Sequence, residues 1–296
     1  MAVLDCFMFF NEFDVLELRL TELQDVVDCF VAVEASTTFA GEPKPCSLTE
    51  RVADLGVLAR KLEVFCVEDL PVASVNRWPT EILQRNAIGA ALARVGAHAD
   101  DTVLVSDVDE IPRAAAVARA DALLVDDQVL AFELDQYWYR LDLLLADWRR
   151  WPHARACRGA LLDALTPSEI RAMFRSPDCV LPDAGWHFSY LAPRGQAGEV
   201  VHRKLTSFSH HEVGPVDGGE WPKSRHGALT THMGELLLPV FEDRLPRCVR
   251  DDPARWERFR QFPGGPSSAD VRAFHLMRTL RRVQRLSHRA MQPFGI

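Results

Sequence analysis

Apolar positions follow two rhythms along the first hundred and thirty-odd residues. Short apolar runs ("AVLDCFMFF", "DCFVAVE", "LEVFCVED", "TVLVSD" and "QVLAFELD") read as buried strands. Between several of them, apolar residues recur at helical spacing. Asn11 suits a helix N-cap with Asp14 in the first turn, and Phe13, Leu16, Leu20 and Leu23 then line one face. A longer helix is predicted in "WPTEILQRNAIGAALARVG", with Pro79 in its first turn and Gly96 at its end. Alternating strands and helices predict an α/β fold with a mostly parallel sheet covered on both faces.

Beyond residue 136 the texture changes. "YWYRLDLLLADWRRW" is aromatic and basic, as carbohydrate-binding and acceptor-facing surfaces are, although aromatics also fill cores. "DAGWHFSYL" (183–191) reads as a strand carrying one histidine, and "APRGQAG" as a loop before a helix with Glu199, Arg203 and Lys204. "EVGPVDGGEWPKSRHG" predicts a long loop. The closing "ADVRAFHLMRTLRRVQRLSHRAM" predicts a basic amphipathic helix with Val271, Phe274, Met277, Leu280 and Val283 as its stripe. Such a helix either packs back on its domain or lies on an anionic membrane. No linker and no internal repeat interrupts the pattern. One domain over 1–265 with an elaborated C-terminal half, then a separate helix over 266–296, is the expected organisation.

Acids follow the predicted strands: Glu12, Glu34, Glu68 with Asp69, Asp107 with Asp109, and Asp135. Open α/β sheets bind ligands beyond the carboxyl ends of their strands, so five strands ending alike point to a cation-containing site at that edge. The densest group is in "VLVSDVDEIP" (103–112), where Asp107, Asp109 and Glu110 crowd one strand end. Like charges there require a cation. A D-x-D pair suits a hard divalent ion, Mn²⁺ or Mg²⁺, whose remaining positions a diphosphate can fill. On the helix at 79–95, Arg85 borders the apolar face and either pairs with Glu81 one turn away or faces a phosphate.

Composition narrows the choice. The chain has 296 residues, 48% hydrophobic and 26% charged, as soluble globular proteins have. A formal net charge of −8 and a pI near 5.7 argue against a nucleic-acid partner. An anionic substrate would then need local cations or a metal. No apolar stretch has the length of a membrane span, and the N-terminus lacks the pattern of a signal peptide. Seven cysteines, at 6, 29, 46, 66, 157, 179 and 248, show no C-x-x-C spacing and an odd total. Neither a zinc site nor a disulfide framework is expected. Cys6, Cys29 and Cys66 read as small core hydrophobes, and a reducing cytoplasm is the expected compartment.

Three blocks in order, "NEFDVLELRLTELQDVVDCFVAVEASTTFAGEPKP" (11–45), "DTVLVSDVDEIP" (101–112) and "AGWHFSY" (184–190), make the chain similar to glycosyltransferase family 17. The resemblance runs from about residue 5 to 260. That family includes the enzyme adding the bisecting N-acetylglucosamine to N-glycans. The resemblance implies a GT-A fold, a UDP-sugar donor (UDP-N-acetylglucosamine) and a divalent metal. It makes Asp107 and Asp109 the metal-binding pair, with Asp109 on the cation and Asp107 toward the ribose or a metal-bound water. His187 becomes a third ligand; as a residue, it reads equally as a core histidine between Trp186 and Phe188. Glu12 and Glu34 fall to the donor nucleoside, and Lys44 and Arg85 to its phosphates. For an inverting transfer, Glu199 is the candidate base and Asp135 its substitute. Unlike Golgi members, the chain shows no N-terminal anchor. A cytoplasmic enzyme acting on a glycolipid or oligosaccharide is therefore expected, with peripheral membrane contact through the last helix.

Two rival readings follow from the same residues. "VLVSDVDEI" also resembles the nucleophile motif of haloacid-dehalogenase phosphatases, in which the first aspartate attacks phosphate. That motif follows an early strand, whereas about a hundred residues precede it here. The other rival is a non-catalytic nucleotide- or glycan-binding protein on the same fold.

Overall fold

The computed structural model describes residues 1–68, 70–71, 78–147, 150–171, 176–207, 221–225 and 227–291. Its first half contains β1 (Val3–Met8), α1 (Phe13–Leu23), β2 (Cys29–Ala35), α2 (Ser47–Arg51), β3 (Leu62–Val67), α3 (Trp78–Val95), β4 (Thr102–Asp107), β5 (Glu110–Pro112) and α4 (Ala114–Leu123). There follow β6 (Leu130–Trp138), β7 (Leu143–Leu145), β8 (Arg150–Arg158), α5 (Pro167–Arg171), β9 (Cys179–Ser189) and α6 (Ala197–Ser207). The chain ends with β10 (Lys223–Arg225), β11 (Ala228–Thr230), β12 (Leu236–Pro239), α7 (Arg247–Asp251), α8 (Pro253–Trp256) and α9 (Ser268–Met291).

The expected parallel strands form the order β3-β2-β1-β4. Strands β1, β2 and β4 are buried on both faces because helices cover both sides, which is why they read as apolar runs rather than strict alternation, while the edge strand β3 is only half-buried. On one side Phe7, Phe30 and Leu104 pack with Leu16, Leu20 and Leu23 of α1. On the other, Leu4, Cys6, Val31, Val33, Val103 and Val105 pack with Ile88, Ala91 and Leu92 of α3. From β1 the chain steps out to β2 and β3, then returns on the other side of β1 as β4. This reversal opens a crevice at the carboxyl ends of β1 and β4, where Met8 pairs with Asp107.

The elaborated half continues the sheet in mixed fashion. Strand β8 lies antiparallel between β4 and β6, β9 runs parallel to β6, and β7, β12, β11 and β10 extend antiparallel. A register shift between Phe132 and Leu134 interrupts the pairing of β6 with both β8 and β9. The carboxyl end of β6 then pairs with that of β9, Trp138 opposite Ser189. Strand β9 also pairs with β5, His187 opposite Glu110. Gly185 makes that pairing feasible: a Cβ there would stand 2.2 Å from the Ile111 carbonyl oxygen and 2.7 Å from the Pro112 Cα.

Three local expectations change. Glu12, not Asn11, holds the cap position of α1, and its carboxylate accepts the backbone N–H groups of Phe10 and Asn11 at 3.2 and 3.1 Å. Cys46 and Cys66 are joined in a disulfide with their Cα atoms 6.2 Å apart, against the expectation of no disulfide framework and of Cys66 as a core hydrophobe. Twenty residues separate them, and only the return of the chain beside β3 brings them together. Residues 223–225 of the expected loop form β10, while 212–220, like Asp69 and the side chain of Val283, lie outside the described residues.

The last helix docks on the sheet: Phe274, 1% exposed, packs with Ala228 and Leu236, and Arg281 donates to the Gly234 carbonyl at 2.8 Å. Leu276 and Leu280 face solvent. No helix among the described residues is long and apolar enough to cross a membrane. Because Phe274 is fully enclosed, Phe274→Ala should destabilise the protein by about 3–5 kcal/mol. Chemical denaturation monitored by far-UV circular dichroism checks this, and an unchanged midpoint would show that α9 is not part of the folded unit.

Candidate active site

A buried arginine shapes the crevice. Arg19 lies on α1 among Leu16, Leu20 and Leu23, yet its guanidinium is fully buried against Asp5 of β1, at 2.7 and 2.5 Å. The same group donates to Ser106 Oγ at 2.6 Å and to the carbonyls of Asp107, Val108 and Glu110 at 3.0, 3.3 and 2.8 Å. The turn carrying the D-x-D pair therefore wraps a cation that is itself neutralised by Asp5. Backbone carbonyls in so tight a turn need donors, and Arg19 supplies them.

Around that turn the acids meet cations from three helices. Asp107 accepts from Arg85 of α3 at 3.1 Å and from Arg171 of α5 at 2.6 Å. Arg85 also pairs with Glu81 at 2.9 Å, and Arg171 with the buried Glu110. Glu110 in turn accepts the Asp107 backbone N–H at 2.9 Å and Trp151 Nε1 at 2.6 Å. Asp109 accepts from Lys204 of α6 at 2.8 Å, and the same ammonium stands 3.6 Å from Glu12. His187 Nε2 lies 3.7 Å from Asp109 Oδ1, with its ring stacked on Trp151 at 4.6 Å.

Burial alone would raise the Asp107 carboxyl, but Arg171 and Arg85 override it and hold it well below the ordinary range. Asp109 is likewise pushed up by burial and brought below its usual value by Lys204 and His187. Lys204 follows the mirror image: burial lowers it, and Asp109 and Glu12 raise it above its usual value. Burial outweighs the neighbouring acids at His187, whose pKa falls, favouring the neutral ring.

A cavity of about 410 Å³ opens beside these groups. Phe9, Phe10 and Glu12 line it after β1, Thr37 to Phe39 after β2, and Asp107 to Asp109 after β4. Gln136 and Trp138 of β6, His187 and Ser189 of β9, Tyr190, Lys204 and His232 complete the wall.

The sequence-based candidates divide. Glu12, Asp107, Asp109 and His187 come together at the cavity. Arg85 contacts Asp107 behind it, and the Glu81 pairing holds alongside. Asp107 is committed to the protein's own cations, each carboxylate oxygen accepting from a guanidinium, which sets it apart from Asp109 as a metal ligand. Lys44 does not line the cavity; its ammonium stands 5.4 Å from the ring of Phe10, which does. Glu34 is fully buried elsewhere and accepts from the Leu48 and Thr49 amides and the Thr49 hydroxyl, closing the N-terminus of α2. The nucleoside role expected for it is therefore not available. Asp135 and Tyr137 do not line the cavity, unlike the alternating Gln136 and Trp138, and Asp135 pairs with Arg244 at 3.3 Å. Glu199 is exposed on α6 while Lys204 faces the site, so neither expected base reaches the cavity.

Arg19, Arg171, Trp138, Tyr190 and His232 were not singled out from sequence. One signal for Arg19 was present, a charge inside the Leu16–Leu20–Leu23 stripe opposite an acid inside the first strand.

The donors fit a divalent ion that shares its coordination with a ligand. Asp109 Oδ1 and His187 Nε2 offer one carboxylate oxygen and one imidazole nitrogen at the cavity wall. Mg²⁺ and Mn²⁺ need no more from protein when a diphosphate and water fill the rest. Among the described residues no group of three or more His, Cys, Asp or Glu could hold a metal by itself, so a closed structural site is not what these residues build.

The model of glycosyltransferase family 17 matches residues 1–214, which hold the crevice from β1 to α6, and the chain belongs to that family. It is similar to the human and rat β-1,4-mannosyl-glycoprotein 4-β-N-acetylglucosaminyltransferases, 32% identical over 108 residues in each case. That match takes in 34% of this chain and only 20% of either relative. Among solved structures it is loosely similar to M. tuberculosis glucosyl-3-phosphoglycerate synthase, at 14% identity and TM-score 0.35 over 84% of this chain and 92% of that one. The bifunctional glycosyltransferase WbbM is similar at 14% identity and TM-score 0.29, over 45% of this chain and 23% of that one.

Two measurements test the buried charges. Arg19→Met leaves Asp5 unpaired and should cost about 3–5 kcal/mol, whereas Asp5→Leu with Arg19→Met should regain most of that. Amide exchange at 107–110 should stay fast in both, because the turn's carbonyls have lost their donor; protected amides in the double variant would show that Arg19 does not order the turn. The second test is titration of stability in Asp107→Asn. A carboxyl held low in the folded protein stabilises fully above its unfolded pKa near 3.8, and that stabilisation fades as pH falls through the folded value. The gap between wild-type and variant denaturation midpoints should therefore be full at pH 7 and begin to shrink only below about pH 4, continuing to shrink as the pH falls further.

Proposed function

We propose that the protein transfers N-acetylglucosamine from UDP-N-acetylglucosamine to a hydroxyl of a glycan or glycolipid, with Mn²⁺ or Mg²⁺ bound beside the donor. The observation that carries this reading is the meeting of Asp109 and His187 on the wall of a crevice inside the family-matched segment. These two residues would hold the ion, which would neutralise the diphosphate as it departs. Glu12, Glu81, Asp107, Asp109 and Glu110 gather around Arg85, Arg171 and Lys204, so charges of both signs already meet where the ion would sit. Arg85 and Arg171 screen Asp107, so an anionic nucleotide is not repelled by it. Phe9, Phe10 and Phe39 offer an apolar wall for a nucleobase.

The names of the mammalian relatives specify a β-linked N-acetylglucosamine and a mannosyl-glycoprotein acceptor. A β-product from an α-linked nucleotide sugar means inversion, and we carry inversion over to this chain. The exposed Arg272, Arg278 and Arg282 of α9 would meet an anionic lipid surface if the acceptor is a glycolipid. A phosphohydrolase would need Asp107 as a free nucleophile, and both of its oxygens are engaged.

The test is UDP titration by calorimetry with Mn²⁺ and with EDTA. Asp109→Asn and His187→Ala should each weaken UDP binding about tenfold or more with Mn²⁺, and neither should matter in EDTA. Equal UDP affinity of the wild type in both conditions would remove the metal from the reading.

A further inference from the structure

One wall of the cavity lies outside the groups assigned above to the donor. Strands β6 and β9 run parallel, and each is followed by a tyrosine in left-handed conformation, Tyr139 at φ 64° and Tyr190 at φ 56°. A bulky residue held there costs on the order of 1–3 kcal/mol and persists only where its surroundings over-determine it. Here the two strand ends brace each other: the Tyr139 amide donates to the Ser189 carbonyl at 3.0 Å, and the Ala192 amide to the Tyr139 carbonyl at 3.1 Å. The bend gathers rings. Trp138 lies 5.2 Å from Tyr190 and 5.5 Å from His232, and Tyr190 meets His232 edge-on at 5.4 Å.

The polar atoms of this group are set with equal care. The Tyr139 hydroxyl accepts the His232 backbone N–H at 2.9 Å and stands 2.6 Å from His232 Nδ1. In the tautomer where Nδ1 accepts the hydroxyl proton, the imidazole's own proton sits on Nε2. Among the described residues, His232 Nε2 and Trp138 Nε1 are both buried without a hydrogen-bond partner. Buried donors without acceptors are expensive, and both belong to residues that line the cavity, so a ligand whose seating brings oxygens to them would satisfy them. Lys204 stands 5.7 Å from the Tyr190 ring while it holds Asp109, so this wall adjoins the D-x-D turn.

We propose that Trp138, Tyr190 and His232 form the subsite for the acceptor's sugar ring, an uncharged pyranose. Its C–H face packs on the aromatic rings, and its hydroxyl oxygens accept from Trp138 Nε1 and His232 Nε2. This assignment rests on the transferase reading.

Saturation-transfer NMR with methyl β-D-mannopyranoside and methyl β-D-glucopyranoside tests it. With wild-type protein, saturation should be strongest on the ring C–H protons of at least one glycoside and should persist after UDP and Mn²⁺ are added. Tyr190→Asn removes the ring but tolerates the left-handed backbone, and should reduce the signal severalfold. Trp138→Phe and His232→Ala should weaken it, with UDP affinity unchanged in all three. Unchanged saturation in the three variants, or its loss on adding UDP alone, would overturn the assignment. A wild type that binds UDP but neither glycoside would also overturn it. One that binds a glycoside in this way but no UDP would keep the subsite and sink the donor reading.

Discussion

The Arg19–Asp5 pair is the constraint on which the crevice depends. An isolated guanidinium in a protein interior is unstable, and one carboxylate satisfies only part of its donor fork. The remaining N–H groups reach the Ser106 hydroxyl and three consecutive-turn carbonyls, so the chain after β4 must curl around them. That curl sets where Asp107 and Asp109 stand. Helix α1 thus acts twice: Leu16, Leu20 and Leu23 seal one face of the sheet, and Arg19 passes between them to shape the loop at its edge.

The acids of that loop ask for a counter-charge, and the chain answers with its own cations from α3, α5 and α6. Each comes from a different stretch of sequence, so the charge balance is a property of the folded state. Asp107 is tied on both oxygens and structural in character. Asp109 is held on one side by Lys204 and faces His187 on the other, the arrangement of a group that can exchange partners. Two aspartates separated by a single residue therefore serve different ends.

The alternation of buried strands and amphipathic helices in the first half was legible because parallel strands and their covering helices have distinct periods. The D-x-D turn and the "GWH" strand were legible as motifs, and the fold brings them together through the β5–β9 pairing. Direction was not legible. Glu34 and Asp135 follow strands as expected, but one caps α2 and the other sits one position from the cavity-lining Gln136. The register shift in β6 removes the simple count of two that would have told the faces apart. Helix α6 was expected, yet its exposed Glu199 was chosen over its buried-face Lys204, since a helix's orientation depends on what it packs against. The Cys46–Cys66 bond and the docking of Phe274 are long-range contacts with no local signature.

Gly185 shows how a residue that binds nothing can govern a site. Its missing side chain lets β9 approach the Ile111 carbonyl, and His187, two residues on, owes its position beside Asp109 to that approach. Every codon one nucleotide away from glycine's, apart from stop codons and other glycine codons, encodes a residue with a Cβ. In a mutational survey this position would stand as sharply intolerant as a reactive side chain, and a statistical reading of tolerance would mistake an empty space for a catalytic group.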